Sequence, residues 1–227
     1  MTMEYRRRRV ITMFLLAGII IIALAIYAAW QLAQSSHSSR SNGEALVALE
    51  ALPVKGRAPK TGYTRSQFGA GWATTSGCDT RNIILARDLK RAVVSGSCKV
   101  ANGQLDDPYT GKRITFQRGS GTSTAVQIDH VVALSNAWQT GAQQLSSEQR
   151  QQLANDPLEL LAVDGPANQQ KGDGDAATWL PSHKPFRCQY VARQIAVKRK
   201  YHLWVTTGEK AAMQRVLATC PGQGVPG

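Results

Sequence analysis

The stretch IDHVVALSNAW, residues 128–138, and the stretch ANDPLELLAVDGPANQQKGD, residues 154–173, decide the predicted fold. The first stretch begins inside a β-branched run, residues 126–132, which predicts a short strand. This strand carries Asp129 directly beside His130. A carboxylate next to an imidazole marks the strand as the place where chemistry is expected.

The second stretch predicts another strand and then a helix. Residues 158–163 are apolar enough for a strand, and residues 164–166, Asp-Gly-Pro, are typical of a turn. The helix that follows carries Asn168, and residues 147–153 predict a short helix between the two strands. The order is therefore strand, insertion, strand, turn and helix. Because the region before Asp129 also mixes helical and strand patterns, we predict an α+β domain.

Three side chains of this arrangement suit phosphodiester hydrolysis. A histidine that titrates near neutrality can take a proton from water, which is the role expected for His130. Asp129 and Asn168 offer oxygens to a divalent ion, with Mg²⁺ as the first expectation and Mn²⁺ or Ca²⁺ as alternatives. Adjacent strand residues point to opposite faces, so Asp129 and His130 converge on one phosphate only if the strand ends or bulges there.

The N-terminus predicts a membrane segment. Arginines at positions 6–9 precede an uncharged stretch, residues 10–30, which is long enough to cross a bilayer. The positive-inside rule then places the rest of the chain outside. We therefore expect residues 1–33 to be a cytoplasmic basic end and a single-pass anchor in the cytoplasmic membrane. A signal peptide cleaved near residues 33–35 is the alternative, and it would make the protein secreted.

The remaining chain predicts a tether, one domain and a tail. Residues 34–59 begin with QSSHSSRSNG, a polar composition typical of a flexible tether, and continue as a spacer. Residues 60–220 have the length of one ordinary domain with its own core. Residues 221–227, PGQGVPG, are expected to be a frayed tail.

All cysteines of the chain lie in the part expected outside, where disulfides form: Cys78, Cys98, Cys188 and Cys220. Residues 186–203 and 207–220 predict two helices, and Thr206 with Glu209 forms a capping box before the second. If the helices form an antiparallel hairpin, Cys188 pairs with Cys220, which leaves Cys78 for Cys98. Zinc is less favoured because no two cysteines have C-x2-C or C-x4-C spacing.

The charge of the chain favours a polyanionic partner. There are 27 Lys and Arg residues against 15 Asp and Glu, a net charge of +12. Such a surplus attracts phosphate backbones and makes their binding sensitive to salt. Anionic lipids and wall polymers attract basic exported domains as well. The net charge therefore predicts a negatively charged partner and does not distinguish nucleic acid from lipid or wall polymer.

A series of linked motifs follows the Asp-His pair: ANDP at 154–157, LLAV at 160–163, N-x-x-K-G-D at 168–173 and WLP at 179–181. This series resembles the exported bacterial HNH endonucleases, which have the ββα-metal fold. The resemblance extends from Gly62 to Cys220. It implies the ββα-metal fold for this domain. Together with the N-terminal segment and the two C-terminal helices, we predict an α+β fold class in which an N-terminal transmembrane helix precedes a single ββα-metal nuclease domain with a C-terminal helical hairpin.

The resemblance implies a role for each site residue. His130 would be the general base, Asp129 a metal ligand, and Asn168 the second protein ligand of the metal. The middle residue of the HNH pattern is Asn, and Glu159 stands at the matching position, which is a departure. Glu159 can orient the imidazole or its loop, or add a metal ligand, and Asn155 is the alternative orienting residue.

Two cations are candidate phosphate-binding residues. Arg118 can clamp a phosphate through its planar guanidinium, and Lys171 lies close in sequence to Asn168. Each site residue also has a purely structural explanation. Arg118 can end a surface strand, Lys171 can belong to a solvated turn, Asn168 can cap its helix, and His130 can be a partly buried histidine.

Together these patterns predict a metal-dependent endonuclease that cuts extracytoplasmic DNA, and RNA as a second candidate, with low sequence specificity and no organic cofactor. The alternative is a non-catalytic module that binds DNA or wall polymer through its charge. A wall-active hydrolase is less favoured, because the chain has no H-E-x-x-H motif and all its cysteines are expected to be paired. The oligomeric state is not indicated.

Overall fold

The computed structural model describes residues 20–29 and 43–226. The chain divides into two units, Met1–Asn42 and Gly43–Gly227, and the described part of the first is helix α1, residues 20–29. Within these two ranges no helix is long and apolar enough to cross a membrane. The predicted fold class is therefore wrong in its transmembrane helix: the described part of the predicted span rises only about 15 Å. Its other residues, 10–19 and 30, lie outside the described ranges.

The second unit mixes helices with antiparallel strands, so the α+β prediction is confirmed for it. Its helices are α2 (Glu44–Glu50), α3 (Thr80–Asp88), α4 (Leu134–Gln139), α5 (Ser147–Asn155), α6 (Gly165–Lys171), α7 (Arg187–Lys200) and α8 (Thr207–Leu217). Its strands are β1 (Thr74–Thr75), β2 (Cys78–Asp79), β3 (Lys90–Ser95), β4 (Lys99–Asp106), β5 (Arg113–Gln117), β6 (Val126–His130) and β7 (Leu160–Asp164). The sheet orders are β1-β2, β3-β4-β5 and β6-β7.

Strands β6 and β7 with helix α6 form the predicted strand, strand and helix arrangement. The two strands are antiparallel, and His130 lies opposite Leu160 at the end of β6. The side chain of Asp164 accepts a hydrogen bond of 2.8 Å from the Ala167 amide, which begins α6. Gly165 is required at this junction, since a Cβ there would lie 2.1 Å from a backbone oxygen.

The strand pair is buried on both faces, which explains its apolar sequence. Ile128 and Leu160 pack in one hydrophobic cluster together with residues of α3 and the β3-β4-β5 sheet. Leu161 and Val163 pack in a second, larger cluster that contains much of α7 and α8. Because strand side chains alternate between faces, Asp129 lies on the side of the second cluster.

The predicted C-terminal hairpin is present. Helix α8 begins with the capping box of Thr206 and Glu209, and disulfides join Cys188 to Cys220 and Cys78 to Cys98. The first disulfide links the start of α7 to the end of α8. A buried ion pair of 3.0 Å between Lys198 and Glu209 joins the same two helices. This is the cysteine pairing that the hairpin prediction favoured.

Two segments predicted to be loose are packed instead. Helix α2 falls in the predicted tether, yet Ala45, Ala48 and Leu49 are buried in the larger cluster because they form one apolar face. The Ala45 amide donates a hydrogen bond of 3.1 Å to the Gln223 carbonyl, and Val225 packs against the same cluster. The tether prediction for residues 34–59 therefore fails from α2 onward, and the tail prediction fails at these contacts. Residues 34–42 lie outside the described ranges.

Candidate active site

Asp129 is held in a buried network. Its side chain accepts a short hydrogen bond from the Tyr109 hydroxyl on one oxygen. Its other oxygen lies 2.9 Å from the Lys171 ammonium, which also donates to the His130 carbonyl at 2.7 Å. Asp129, Tyr109 and Lys171 are each at most 5% exposed. The charge of the carboxylate is thus balanced inside the protein by an ammonium from the end of α6.

The turn that carries Tyr109 is fixed to the strand pair. Asp107 accepts a hydrogen bond of 2.7 Å from the Thr110 amide, which closes the turn. Its other oxygen accepts one of 2.9 Å from the Asp164 amide at the end of β7. Tyr109 also makes edge contacts with the rings of Trp179 and Tyr190, with centroid distances of 5.0 and 5.6 Å. These contacts direct its hydroxyl to Asp129.

His130 is the last residue of β6, and its ring is fixed on two sides. The Trp72 ring stacks on the imidazole at a centroid distance of 5.7 Å and an angle of 7°. Nε2 lies 3.0 Å from the Ala154 carbonyl oxygen. Because a carbonyl can only accept, Nε2 carries the proton and Nδ1 is the basic nitrogen. Nδ1 has no hydrogen-bond partner among residues 20–29 and 43–226.

The environment of His130 keeps its ring neutral. The pKa of His130 is lowered to about 3, mainly by burial, and the charges of Arg65 and Lys171 contribute in the same direction. The hydrogen bond to the Ala154 carbonyl acts against this shift, since it stabilises the protonated ring. At physiological pH the imidazole is therefore available to accept a proton.

Two clefts meet at His130, and Arg65 and Leu134 also line both of them. The apolar cleft is lined in addition by Ser66, Phe68, residues 69–71, Trp72 and Ala154. The polar cleft is lined in addition by Gln127, Asp129, Ser135, Asn168, Gln169 and Asp173, among others.

Asp129 and His130 both line the polar cleft, although their side chains contact different parts of the fold. The carboxylate contacts Tyr109 and Lys171, whereas the imidazole contacts Trp72 and α5. This divergence follows from the alternation of strand residues. Since β6 ends at His130, both residues still line the same cleft.

Glu159 holds the segment after His130. Its side chain is fully buried, and Oε2 accepts a hydrogen bond of 3.2 Å from the Val132 amide. Its backbone carbonyl accepts one of 2.9 Å from the Val131 amide. Oε1 has no partner in the described part of the chain, and burial raises the pKa of Glu159 well above its ordinary value. Glu159 thus orients the loop and does not contact the imidazole by a hydrogen bond.

Asn155, the alternative orienting residue, acts on the other side of the ring. Its Oδ1 accepts a hydrogen bond of 2.8 Å from the Ala73 amide, and its Nδ2 donates one of 2.9 Å to the Gln151 carbonyl. Ala73 directly follows Trp72, which covers the imidazole. Asn155 therefore fixes the segment that stacks on His130.

The two predicted metal ligands lie at the same cleft without forming a metal site. Asn168 donates from Nδ2 to Gln127 Oε1 at 2.9 Å, and both Asp129 oxygens already accept hydrogen bonds. The described ranges contain no group of three or more His, Cys, Asp or Glu residues that could hold an ion. With the Lys171 ammonium against Asp129, these residues do not fit a divalent ion in this arrangement.

The structure commits the two predicted phosphate-binding cations to contacts within the protein. Arg118 donates to the Val100 carbonyl and to Asn82 Oδ1, both at 2.6 Å, and lines a separate cleft beside Cys98. Its guanidinium is used to join β4 to α3, so it does not reach the clefts at His130. Lys171 is 3% exposed and bound to Asp129, so it cannot contact a phosphate as placed.

Sequence reasoning missed three residues of the site: Arg65, Trp72 and Tyr109. Arg65 and Trp72 belong to the run GYTRSQFGAGW, residues 62–72, where glycines signal a loop. Gly69 has φ 103° and ends the 3-10 helix Arg65–Phe68, which is the local reason for a glycine there. Nothing in the run shows that it folds over His130, because that contact is long-range.

Comparisons with known proteins bear on this site. A family model described as the C-terminal domain of GmrSD restriction endonucleases matches residues 79–216. A protein of Arthroderma benhamiae described as an uncharacterized secreted protein is 41% identical over 175 residues, which cover 76% of this chain and 82% of that protein. No solved structure matches the chain. The matched range contains both strands of the ββα arrangement and its helix.

Proposed function

Since the chain belongs to the family of the GmrSD restriction endonuclease C-terminal domain, we propose that it is an endonuclease of the HNH type. It would hydrolyse phosphodiester bonds of DNA, with RNA as a second substrate to test, and with low sequence specificity. The observation that carries this proposal is the state of His130. The ring is neutral, its Nε2 is tied to the Ala154 carbonyl, its Nδ1 has no partner in the described ranges, and the residue lines both clefts.

In the proposed reaction, water attacks the phosphorus while His130 Nδ1 takes its proton. The bond from phosphorus to the leaving 3′ oxygen breaks, and that oxygen takes a proton from solvent. The Ala154 carbonyl then stabilises the imidazolium through Nε2–H, in the way that an oriented acceptor supports a histidine base. An entering phosphate places negative charge beside the ring. This raises the pKa of the imidazole from its low value toward the range in which a histidine base is effective.

The other site residues would position this base. Glu159 holds the loop that follows His130, and Asn155 holds the segment of Trp72 that covers the ring. Buried donors and acceptors that fix a catalytic side chain reduce the reorganisation required during reaction. We propose positioning roles for Glu159 and Asn155, and the base role for His130 alone.

A divalent metal is implied by the resemblance, with Asp129 and Asn168 as its ligands and Mg²⁺ as the first candidate. Lewis-acid stabilisation of the phosphate is what such an ion would supply. Because Lys171 now occupies the carboxylate of Asp129, the ligands would have to rearrange to bind the ion. The metal dependence is therefore left to experiment, and no step above depends on it.

We propose that the protein acts outside the cytoplasm. It contains two disulfides, which persist in oxidising compartments, and its Arthroderma benhamiae relative is described as secreted. Its net charge of +12 would attract the polyanionic substrate.

The purified chain should be incubated with covalently closed circular DNA and with RNA, with Mg²⁺ and with chelator. Closed circles have no ends, so their conversion to open or linear forms demonstrates endonuclease cleavage. The competing function is a module that only binds polyanions, as its charge allows. Salt-sensitive binding without cleavage under any metal condition would replace the proposed function with that one.

A further inference from the structure

We infer that Arg65 binds the phosphate that His130 acts on, as the substrate-binding cation that the site needs. This inference rests on the proposed function, because it names a further residue for the same reaction. Sequence reasoning placed this role on Arg118 and Lys171, and the structure commits both of those side chains to internal contacts.

The position of Arg65 is the first reason. It begins the 3-10 helix Arg65–Phe68, its side chain is exposed, and it lines both the apolar and the polar cleft. Among the described residues, His130 and Leu134 alone share that position at the junction of the two clefts. A phosphate next to the imidazole would therefore lie next to Arg65 as well.

The lack of a partner is the second reason. In the part of the chain that the structure describes, Arg65 makes no hydrogen bond or ion pair through its side chain. The neighbouring cations are engaged: Lys171 pairs with Asp129 at 2.9 Å, and Lys60 pairs with Asp173 at 3.1 Å. Arg65 is thus the uncompensated positive charge among the residues that line the clefts at His130.

The backbone of Arg65 is well fixed although its side chain is not. Phe68, in the same short helix, is 2% exposed and packs edge-on against Trp138. Arg150 of α5 donates a hydrogen bond of 2.8 Å to the Gln67 carbonyl. A side chain on a rigid support loses less freedom when it orders around a ligand than one on a loose loop.

The chemistry of guanidinium suits this role. Its planar donors match two phosphate oxygens at once, and a cation near a phosphate under attack stabilises the additional negative charge. Among the described residues that line the apolar cleft, Arg65 is the only charged one, since the others are the neutral His130 and residues that are apolar, Gly or Ser. Arg65 therefore supplies charge at the point where the two clefts meet.

Kinetics of the full chain test the inference with Arg65→Ala, Arg65→Lys and the control Arg215→Ala. Arg215 is exposed on α8, has no partner in the described ranges and lines neither cleft. We expect Arg65→Ala to lower kcat/KM by about 100-fold or more, as loss of one transition-state donor does. Arg65→Lys should recover part of the loss. Equal kcat/KM for Arg65→Ala and Arg215→Ala would overturn the inference.

Binding gives a readout that does not require cleavage. In a His130→Gln background, the affinity for a short single-stranded oligonucleotide is measured by fluorescence anisotropy at several salt concentrations. Removing one phosphate contact should reduce the slope of log Kd against log salt by about one for Arg65→Ala, and Arg215→Ala should leave it unchanged. A reduced slope for Arg65→Ala, together with no cleavage by the wild-type chain, would support Arg65 as a phosphate contact and reject the proposed function. An unchanged slope would reject the inference alone.

Discussion

Lys171 places its ammonium 2.9 Å from the Asp129 carboxylate, and both side chains are at most 7% exposed. The ammonium comes from the last residue of α6 and the carboxylate from β6, so the pair joins the helix to the strand that carries His130. Buried charges of this kind are costly unless they remain together. The pair therefore fixes the geometry of the strand, strand and helix arrangement.

Lys171→Met should destabilise the protein by about 3 to 5 kcal/mol, because it leaves the Asp129 carboxylate buried without its counter-charge. Urea unfolding at neutral pH measures the change, with Lys184→Met as the control at an exposed lysine. The double variant Asp129→Asn, Lys171→Met should recover much of the loss. A loss below about 1 kcal/mol for Lys171→Met would show that the pair is not what holds the two elements together.

Removal of divalent metal should leave the fold intact, since Lys171 and not an ion balances Asp129 in this arrangement. We expect Tm to change by less than roughly 2 °C when the protein is treated with chelator. A structural ion present at about 100 times its Kd would instead shift Tm by roughly 5 to 10 °C. A shift of that size would contradict the assignment, whatever the effect on cleavage.

The strand, strand and helix order was predictable because each element has a local pattern. Leu161 and Val163 alternate with Leu160 and Ala162, and the Asp164 cap with its glycine marks the start of α6. The partner of Asp129 was not predictable, because Lys171 reads equally well as a solvated turn residue. The direction of the Lys171 side chain depends on how the end of α6 packs against β6.

The free energy of unfolding of Glu159→Gln, relative to that of the wild-type chain, should increase as pH rises. Burial raises the pKa of Glu159 above its ordinary value of 4.5, so the folded state keeps a proton that the unfolded state loses above that pH. The wild-type chain therefore loses stability as pH rises through this window, by up to about 1.4 kcal/mol per pH unit, and the Gln variant does not.

Urea unfolding of the wild type and of Glu159→Gln measures this difference in free energy of unfolding, at intervals of about one pH unit from about pH 4 to about pH 7. Glu148→Gln is the matched control, since Glu148 is exposed and hydrogen bonds lower its pKa, which has the opposite sign. A pH-independent difference between wild type and Glu159→Gln would mean that Glu159 is ionised in the folded protein.

The disulfide between Cys188 and Cys220 should contribute about 3 to 4 kcal/mol, because it closes a loop of 32 residues across the helical hairpin. Unfolding of the double variant Cys188→Ser, Cys220→Ser measures the loss under non-reducing conditions. The same measurement on Cys78→Ser, Cys98→Ser isolates the other disulfide. A loss below about 1 kcal/mol for the hairpin disulfide would indicate that residual structure already holds α7 near α8 in the unfolded chain.

The candidate site was predictable where its residues lie within one continuous motif. Asp129, His130, Glu159 and Asn168 all line the polar cleft or support the segment beside it. Arg65 was missed because its role depends on a contact between distant parts of the chain. Arg118 was predicted to bind phosphate because of its residue type, yet its guanidinium joins β4 to α3.

The variant His130→Gln tests whether His130 is the general base of an endonuclease. The Gln amide can still donate to the Ala154 carbonyl, so the fold and the binding cleft should be retained. The rate of circular DNA cleavage should be measured beside oligonucleotide affinity and Tm, with His202→Gln as the control at an exposed histidine. We expect His130→Gln to lose about 100- to 10,000-fold in the cleavage rate, with its affinity unchanged. Cleavage by His130→Gln at a rate equal to that of His202→Gln would contradict it.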